Sequence, residues 1–157
     1  MQARDVMSQG ITSIGPTDSI VHAAELMGER DIGVLPVVDR GKLVGIVTDR
    51  DLVVRGIAGG LHGDAPVLNV MSREVLTCRP EDDLDTVLET MSEQQVRRLP
   101  VSNSKGDLLG MISIADLARN DPEKQEVADT LRAISRPAGE HSPHVVRLLP
   151  QVPQPQS

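Results

Sequence analysis

A chain of 157 residues with no Phe, Tyr or Trp and a formal charge of −7 is ill suited to nucleic acid. Single-strand binding relies on aromatic stacking, and phosphate binding on a basic footprint. The same charge gives an anionic membrane surface little to attract, and no apolar run approaches the roughly 20 residues of a membrane span.

The N-terminus shows no leader-like apolar region and the one cysteine, Cys78, has no internal disulfide partner. A cytoplasmic protein is the expectation. Two separate cores of about 60 residues each would be marginal, so two small units sharing one core of Val, Ile, Leu, Met and Ala is the expected arrangement.

In chain order, Val6-Met7-Ser8 leads into an extended piece, Ile11 to Ile14. Pro16-Thr17-Asp18 is a turn. Asp18 or Ser19 can cap a helix in which Ile20, Ala23, Ala24 and Met27 recur at helical spacing. Gly33 to Val38 is an apolar strand whose Pro36 lacks a donor and favours an edge. Asp39-Arg40-Gly41-Lys42 is a hairpin turn, Leu43 to Val47 the returning strand, and Asp49 to about Ile57 a second helix.

From Val70 the chain repeats itself. Val70-Met71-Ser72, Pro80, Asp82, Met91 and Leu99-Pro100-Val101 follow their first-copy equivalents by 64 residues. After one inserted residue, Gly106, Leu108, Gly110 and Asp116-Leu117 follow by 65. Leu84, Val87, Leu88 and Met91 mark the first helix of this copy, Val96 to Val101 and Leu108 to Ser113 its strands, and Ile114 to Arg119 its second helix. A further helix, Pro122 to Ser135, has Val127, Leu131 and Ile134 on one face.

The expected organisation is a first repeat over 1–58, a linker over 59–69, a second repeat over 70–121, a helix over 122–136 and a disordered, Pro/Gln-rich tail over 137–157. The fold class is α/β: two βαββα repeats packed as one pseudo-twofold module. The surfaces at Val53-Val54 and at Leu84, Val87, Leu88 and Met91 are either a dimer contact or intrachain core.

The chemistry concentrates where Gly45-Ile46-Val47-Thr48-Asp49-Arg50-Asp51 is echoed by Gly110-Met111-Ile112-Ser113-Ile114-Ala115-Asp116. Each strand ends in a hydroxyl residue, with a carboxylate three positions on at a helix start. Free N–H groups there favour a phosphate; the hydroxyl can donate to it, and the carboxylate can accept from both hydroxyls of a ribose. The same pattern is also a capping box, with Asp in place of Glu.

With the repeat and its Val-Met-Ser, Leu-Pro-Val and Gly-Ile-Val-Thr-x-x-Asp signatures at 6–8, 35–37 and 45–51, and again at 70–72, 99–101 and 110–116, the chain resembles the CBS-domain family. It resembles a tandem pair, and within the family looks like the small stand-alone bacterial members, including the hypoxic response protein type. The resemblance implies binding of AMP, ADP, ATP or NAD, or a related adenosyl compound such as S-adenosylmethionine, in the cleft between the repeats. No cofactor is required and no reaction catalysed; occupancy is passed to an unknown protein partner, with homodimerisation expected.

Carried onto matching positions, Thr48 with Asp51 and Ser113 with Asp116 hold phosphate and ribose. Ser13-Ile14 and Thr77-Cys78 line the base pocket, as do Ile32-Gly33 and Val96-Arg97. Without aromatic rings, adenine is sandwiched by aliphatic side chains. Arg97 and Arg98 replace Gly33 and Val34, and Arg50 is replaced by Ala115. An arginine fork suits phosphate, offered from either copy across the cleft, although an arginine beside this strand could instead pair with Glu93 or Asp116.

His22, His62, His141, His144 and Cys78 show no zinc-ligand spacing, so no metal is expected. Cys78 reads as small apolar filler. Nucleotide turnover would need a positioned base that the sequence does not supply. The alternative to nucleotide sensing is a structural or protein-interaction module that binds no nucleotide.

Overall fold

The computed structural model describes residues 1–120 and 125–135; the predicted tail over 137–157 lies outside the described residues. In chain order the elements are α1 (Ala3–Val6), α2 (Ile20–Arg30), β1 (Val34–Asp39), β2 (Lys42–Thr48), α3 (Asp49–Asp51), a 3₁₀ turn at Val67–Asn69, α4 (Leu84–Gln94), β3 (Arg98–Ser102), β4 (Leu108–Ser113), α5 (Ile114–Asn120) and α6 (Gln125–Ile134). Beyond Asp51, α3 runs on as wider π-helical turns, Leu52–Ile57. The expected strands thus form two hairpin sheets, β1 with β2 and β3 with β4.

The leading strand of each repeat shrinks to a single parallel bridge, Ile14 beside Val37 and Cys78 beside Val101. Ile14 N–H donates to Pro36 O and Cys78 N–H to Pro100 O, each at 3.0 Å. Each proline therefore uses its carbonyl on this side of the strand. Its missing donor is tolerated because the neighbour on that side is a single bridge rather than a full strand, so the ladder does not need the proline's donor.

The chain divides into two compact units. A first-repeat unit holds residues 13–37 and 44–73. A second-repeat unit holds 1–12, 38–43 and the described residues from 74 onward.

The buried aliphatic side chains form two clusters rather than the one shared core expected. Ile20, Ala23, Met27, Leu35, Val37 and Val47 belong to one; Leu84, Val87, Leu88, Met91, Leu99 and Ile112 belong to the other. The four residues Leu84, Val87, Leu88 and Met91 are intrachain core, which removes them as a dimer surface, whereas Val53 stays exposed.

Each small core is completed by a lead borrowed from the other repeat. Ala3, Val6 and Met7 pack into the second-repeat core, and Val67, Val70 and Met71 into the first-repeat core. Ser8 exchanges two backbone hydrogen bonds with Met111 (2.8 and 3.1 Å), and Ser72 two with Ile46 (both 2.9 Å).

The recurring glycines make this possible. A Cβ on Gly110 would lie 2.6 Å from Ser8 O, and one on Gly45 would lie 2.9 Å from Ser72 O and 2.6 Å from Met71 Sδ. The lead can approach the strand only where no side chain intervenes.

The hairpins differ because of the inserted residue. Arg40 and Gly41 both have positive φ (50° and 80°), the signature of a two-residue type I′ turn. In the second repeat the register shifts between Val101 and Ser102, pairing Val101 with Gly110 but Ser102 with Leu108. Asn103 Oδ1 accepts from the N–H groups of Lys105 (2.9 Å) and Asp107 (3.0 Å) to hold the longer loop.

Ser19 caps α2 by accepting from His22 N–H at 3.0 Å. Asp18 instead accepts from Gly15 N–H within the preceding turn, as Asp82 does from Arg79 N–H, both at 2.8 Å. Helix α6 buries Val127 and Thr130 and leaves Leu131 40% exposed. Its inward face is therefore 127, 130 and 134 rather than 127, 131 and 134: Thr130 is small enough to sit against α4 and α5, the helices α6 packs on.

Candidate functional site

The two hydroxyl–carboxylate pairs stand where a strand turns into a helix, and in both the capping box is formed. Thr48 N–H donates to Asp51 Oδ2 (2.9 Å), and Asp51 N–H donates back to Thr48 Oγ1 (3.1 Å). Ser113 N–H donates to Asp116 Oδ2 (2.8 Å), Asp116 N–H to Ser113 Oγ (3.2 Å), and the Ser113 hydroxyl also donates to Asp116 Oδ2 (2.7 Å). A polar group so placed is held rigidly by the backbone it caps.

The other oxygen of each carboxylate meets an arginine that sequence reasoning passed over. Asp51 Oδ1 lies 3.7 Å from Arg55 Nε, with both side chains largely buried. Arg55 also donates to Val70 O (2.9 Å) and Met71 O (3.1 Å), the lead that completes this unit's core. Asp116 Oδ1 is ion-paired and hydrogen-bonded to Arg119, whose side chain is mostly exposed. The available signal was the spacing: an acid and a base three or four residues apart on a helix are neighbours.

The segment before each inner strand is tied to the same junction. Asp49 N–H donates to Gly33 O, and Ile114 N–H to Arg97 O, both at 3.0 Å. Arg98 is the register partner of Ser113. The structure thus brings Gly33, Thr48, Arg50 and Asp51 together in the first-repeat unit, and Arg97, Arg98, Ser113 and Asp116 together in the second. Arg97 and Arg98 are exposed and meet no carboxylate among the described residues, Asp116 being paired with Arg119.

The proposed base-lining segments divide. Ser13 and Thr77 are exposed, and Ile32 and Val96 are half-buried against their cores. Ile14 and Cys78 point into the two cores, 3% and 4% exposed, so their side chains serve packing, and their N–H groups are taken by Pro36 O and Pro100 O. Burial, with Asp82 adding to it, pushes the Cys78 thiol up to about 11. It stays a protonated, poorly nucleophilic thiol at neutral pH. Among the described residues no cluster of three or more His, Cys, Asp or Glu could hold a metal ion.

The family model for the CBS domain matches residues 3–56 and 67–123, one match per repeat. The chain belongs to the CBS-domain family, as a tandem pair. Hypoxic response protein 1 of Mycobacterium tuberculosis is 36% identical over 137 residues, covering 86% of this chain and 94% of the relative.

A crystal structure of Hypoxic Response Protein I with two coordinated zinc ions matches this CBS pair with a TM-score of 0.70, 36% identity and coverage of 76% and 98% of the two chains. CBSX2 in complex with AMP matches at TM-score 0.70 and 26% identity, over 78% of this chain and 96% of the other. The CBS pair of protein MJ0100, bound to 5-methylthioadenosine and S-adenosyl-L-methionine, matches at TM-score 0.68 and 27% identity, over 80% and 98%. No helix of this chain is long and apolar enough, among the described residues, to cross a membrane.

Proposed function

We propose that this CBS pair is a regulatory module that senses an adenosine compound (AMP, ADP, ATP or NAD) and passes its occupancy to a protein partner without catalysing a reaction. The observation that carries the reading is the paired geometry. Each unit presents a hydroxyl and a carboxylate at a strand-to-helix junction, and two structurally similar CBS pairs hold AMP or adenosyl ligands. In this reading Thr48 and Ser113 face phosphate or ribose oxygens, and Asp51 and Asp116 accept from the ribose hydroxyls. Ser13, Thr77, Ile32 and Val96, with the backbone at Ile14 and Cys78, flank the base. Aliphatic contacts replace the aromatic stacking that this composition excludes.

A second reading, a structural module without a ligand, is favoured by one observation: oxygens of Thr48, Asp51, Ser113 and Asp116 are engaged in capping the backbone. The two are separated by purifying the protein and recording its ultraviolet spectrum. With no Trp or Tyr, any bound adenine stands out. Mass spectrometry of what denaturation releases names the ligand, and Asp51→Ala with Asp116→Ala should abolish it. A bare spectrum together with no thermal shift on adding AMP, ATP or NAD would overturn the sensing reading in favour of the structural one.

A further inference from the structure

The two junctions share a capping box but differ in what stands beside it. In the first-repeat unit every backbone N–H from 48 to 51 is satisfied from within the protein. Thr48 and Asp51 use the box, Asp49 donates to Gly33 O at 3.0 Å, and Arg50 donates at 2.8 Å to the side-chain Oδ1 of Asp49. The same Asp49 carboxylate leans over Gly33, its Oδ2 3.0 Å from where a Cβ would stand. An anionic group of the chain thus occupies the place in which an incoming phosphate oxygen would seek a donor.

The second-repeat unit has Ile114 at the position of Asp49 and Arg97 at the position of Gly33. Ile114 has no acceptor to offer the Ala115 N–H. At the first junction the carboxylates are Asp49 and Asp51, with Arg50 next in sequence and Arg55 paired to Asp51; at the second, Asp116 is paired to Arg119, while Arg97 and Arg98 are exposed and meet no carboxylate among the described residues. A phosphate monoester, near two negative charges at neutral pH, meets balance at the first site and an excess of fork-shaped donors at the second.

Resting on the adenosine reading above, we propose that the two sites select by charge. The second-repeat site takes the phosphate-bearing nucleotide, and the first-repeat site takes uncharged or cationic adenosyl compounds because Asp49 excludes phosphate.

Methionine methyls report each unit separately in the full chain: Met71 lies against Gly45 in one, and Met7 against Gly110 in the other. With ¹³C-methyl methionine, AMP should move the Met7 signal at about tenfold lower concentration than Met71. Adenosine should lose that preference, and S-adenosylmethionine should move Met71 first. Asp49→Asn, which keeps shape and removes charge, should strengthen AMP at Met71 several-fold and leave Met7 unchanged. Arg97→Gly with Arg98→Val should weaken AMP at Met7 by about tenfold while adenosine is unaffected.

AMP moving Met71 at the same or lower concentration than Met7 overturns the charge selection alone, as does an Asp49→Asn protein with unaltered AMP response. If neither AMP, adenosine nor S-adenosylmethionine moves any methionine signal, the adenosine reading itself falls.

Discussion

Residues 45–51 and 110–116 descend through the same strand, hydroxyl and carboxylate, yet the first junction is tied inward and the second is open. Arg55 is largely buried and anchors Asp51 to the carbonyls of Val70 and Met71; its counterpart in role, Arg119, is mostly exposed and, among the described residues, its side chain pairs with Asp116. Duplication preserved the backbone solution, the cap, and left the surrounding charges free to diverge. The difference teaches that a repeated motif certifies a repeated fold more strongly than a repeated ligand.

The contrast between the repeats can be tested by substitution, the core positions giving the greatest loss. Leu35 and Leu99 are equivalent and fully buried in their respective clusters, so Leu35→Ala and Leu99→Ala should each cost about 3 kcal/mol in urea denaturation. A loss confined to one of them would show that the two cores are not energetic equals.

Next comes the lead-to-strand contact. Gly110→Ala should destabilise by about 2–3 kcal/mol and Gly45→Ala by about 1–2 kcal/mol, again by urea midpoint. The Gly110 Cβ would meet the Ser8 carbonyl at 2.6 Å, while the nearest atom at Gly45 is the Met71 sulfur of a flexible side chain. The reverse order would mean that the Ser8 lead gives way more easily than the Ser72 lead.

Smaller still are the caps. Thr48→Ala and Ser113→Ala should each lose about 1 kcal/mol in the same urea titration.

The smallest effect lies at the hairpin tips, where Lys42 pairs with Asp107 at 2.5 Å. The Lys42 ammonium, with help from the Asn103 amide, holds the Asp107 carboxyl below its usual range. Its folded value is depressed, so the stabilisation is present above the unfolded carboxylate value, about 3.9, and fades as pH falls through the folded one. Asp107→Asn should therefore lower the melting temperature slightly at neutral pH and leave it unchanged in strong acid. A pH-independent difference would place the effect elsewhere than in this charge.

Much of this was legible in the residues. The 64-residue echo and the helical spacing of Ile20, Ala23 and Met27 located the helices, and the Asp39-Arg40-Gly41-Lys42 turn located a hairpin. Thr48 with Asp51 and Ser113 with Asp116 could be picked out as a pair of junctions, with the cap as one of two meanings. The role of Val6-Met7-Ser8 was not legible: nothing in its own segment states that its partner is Met111, more than a hundred positions away. The inward placement of Ile14 and Cys78 was missed because a single parallel bridge leaves no alternation to read. Asp49 was missed because its lie over Gly33 joins two segments, which no spacing along one of them records.

By itself the sequence determined the duplication, the α/β class, the aliphatic character of the cores and the positions of both hydroxyl–carboxylate pairs, because these depend on local spacing and composition. Only the tertiary structure decided which repeat each lead completes and why Gly45 and Gly110 recur. It alone decided that Arg55 ties Asp51 to Val70 and Met71, and that Asp49 lies across Gly33. Those depend on the approach of segments distant in the chain, where a missing Cβ or a hydrogen bond of about 3 Å settles the outcome, and no periodicity along one segment records it.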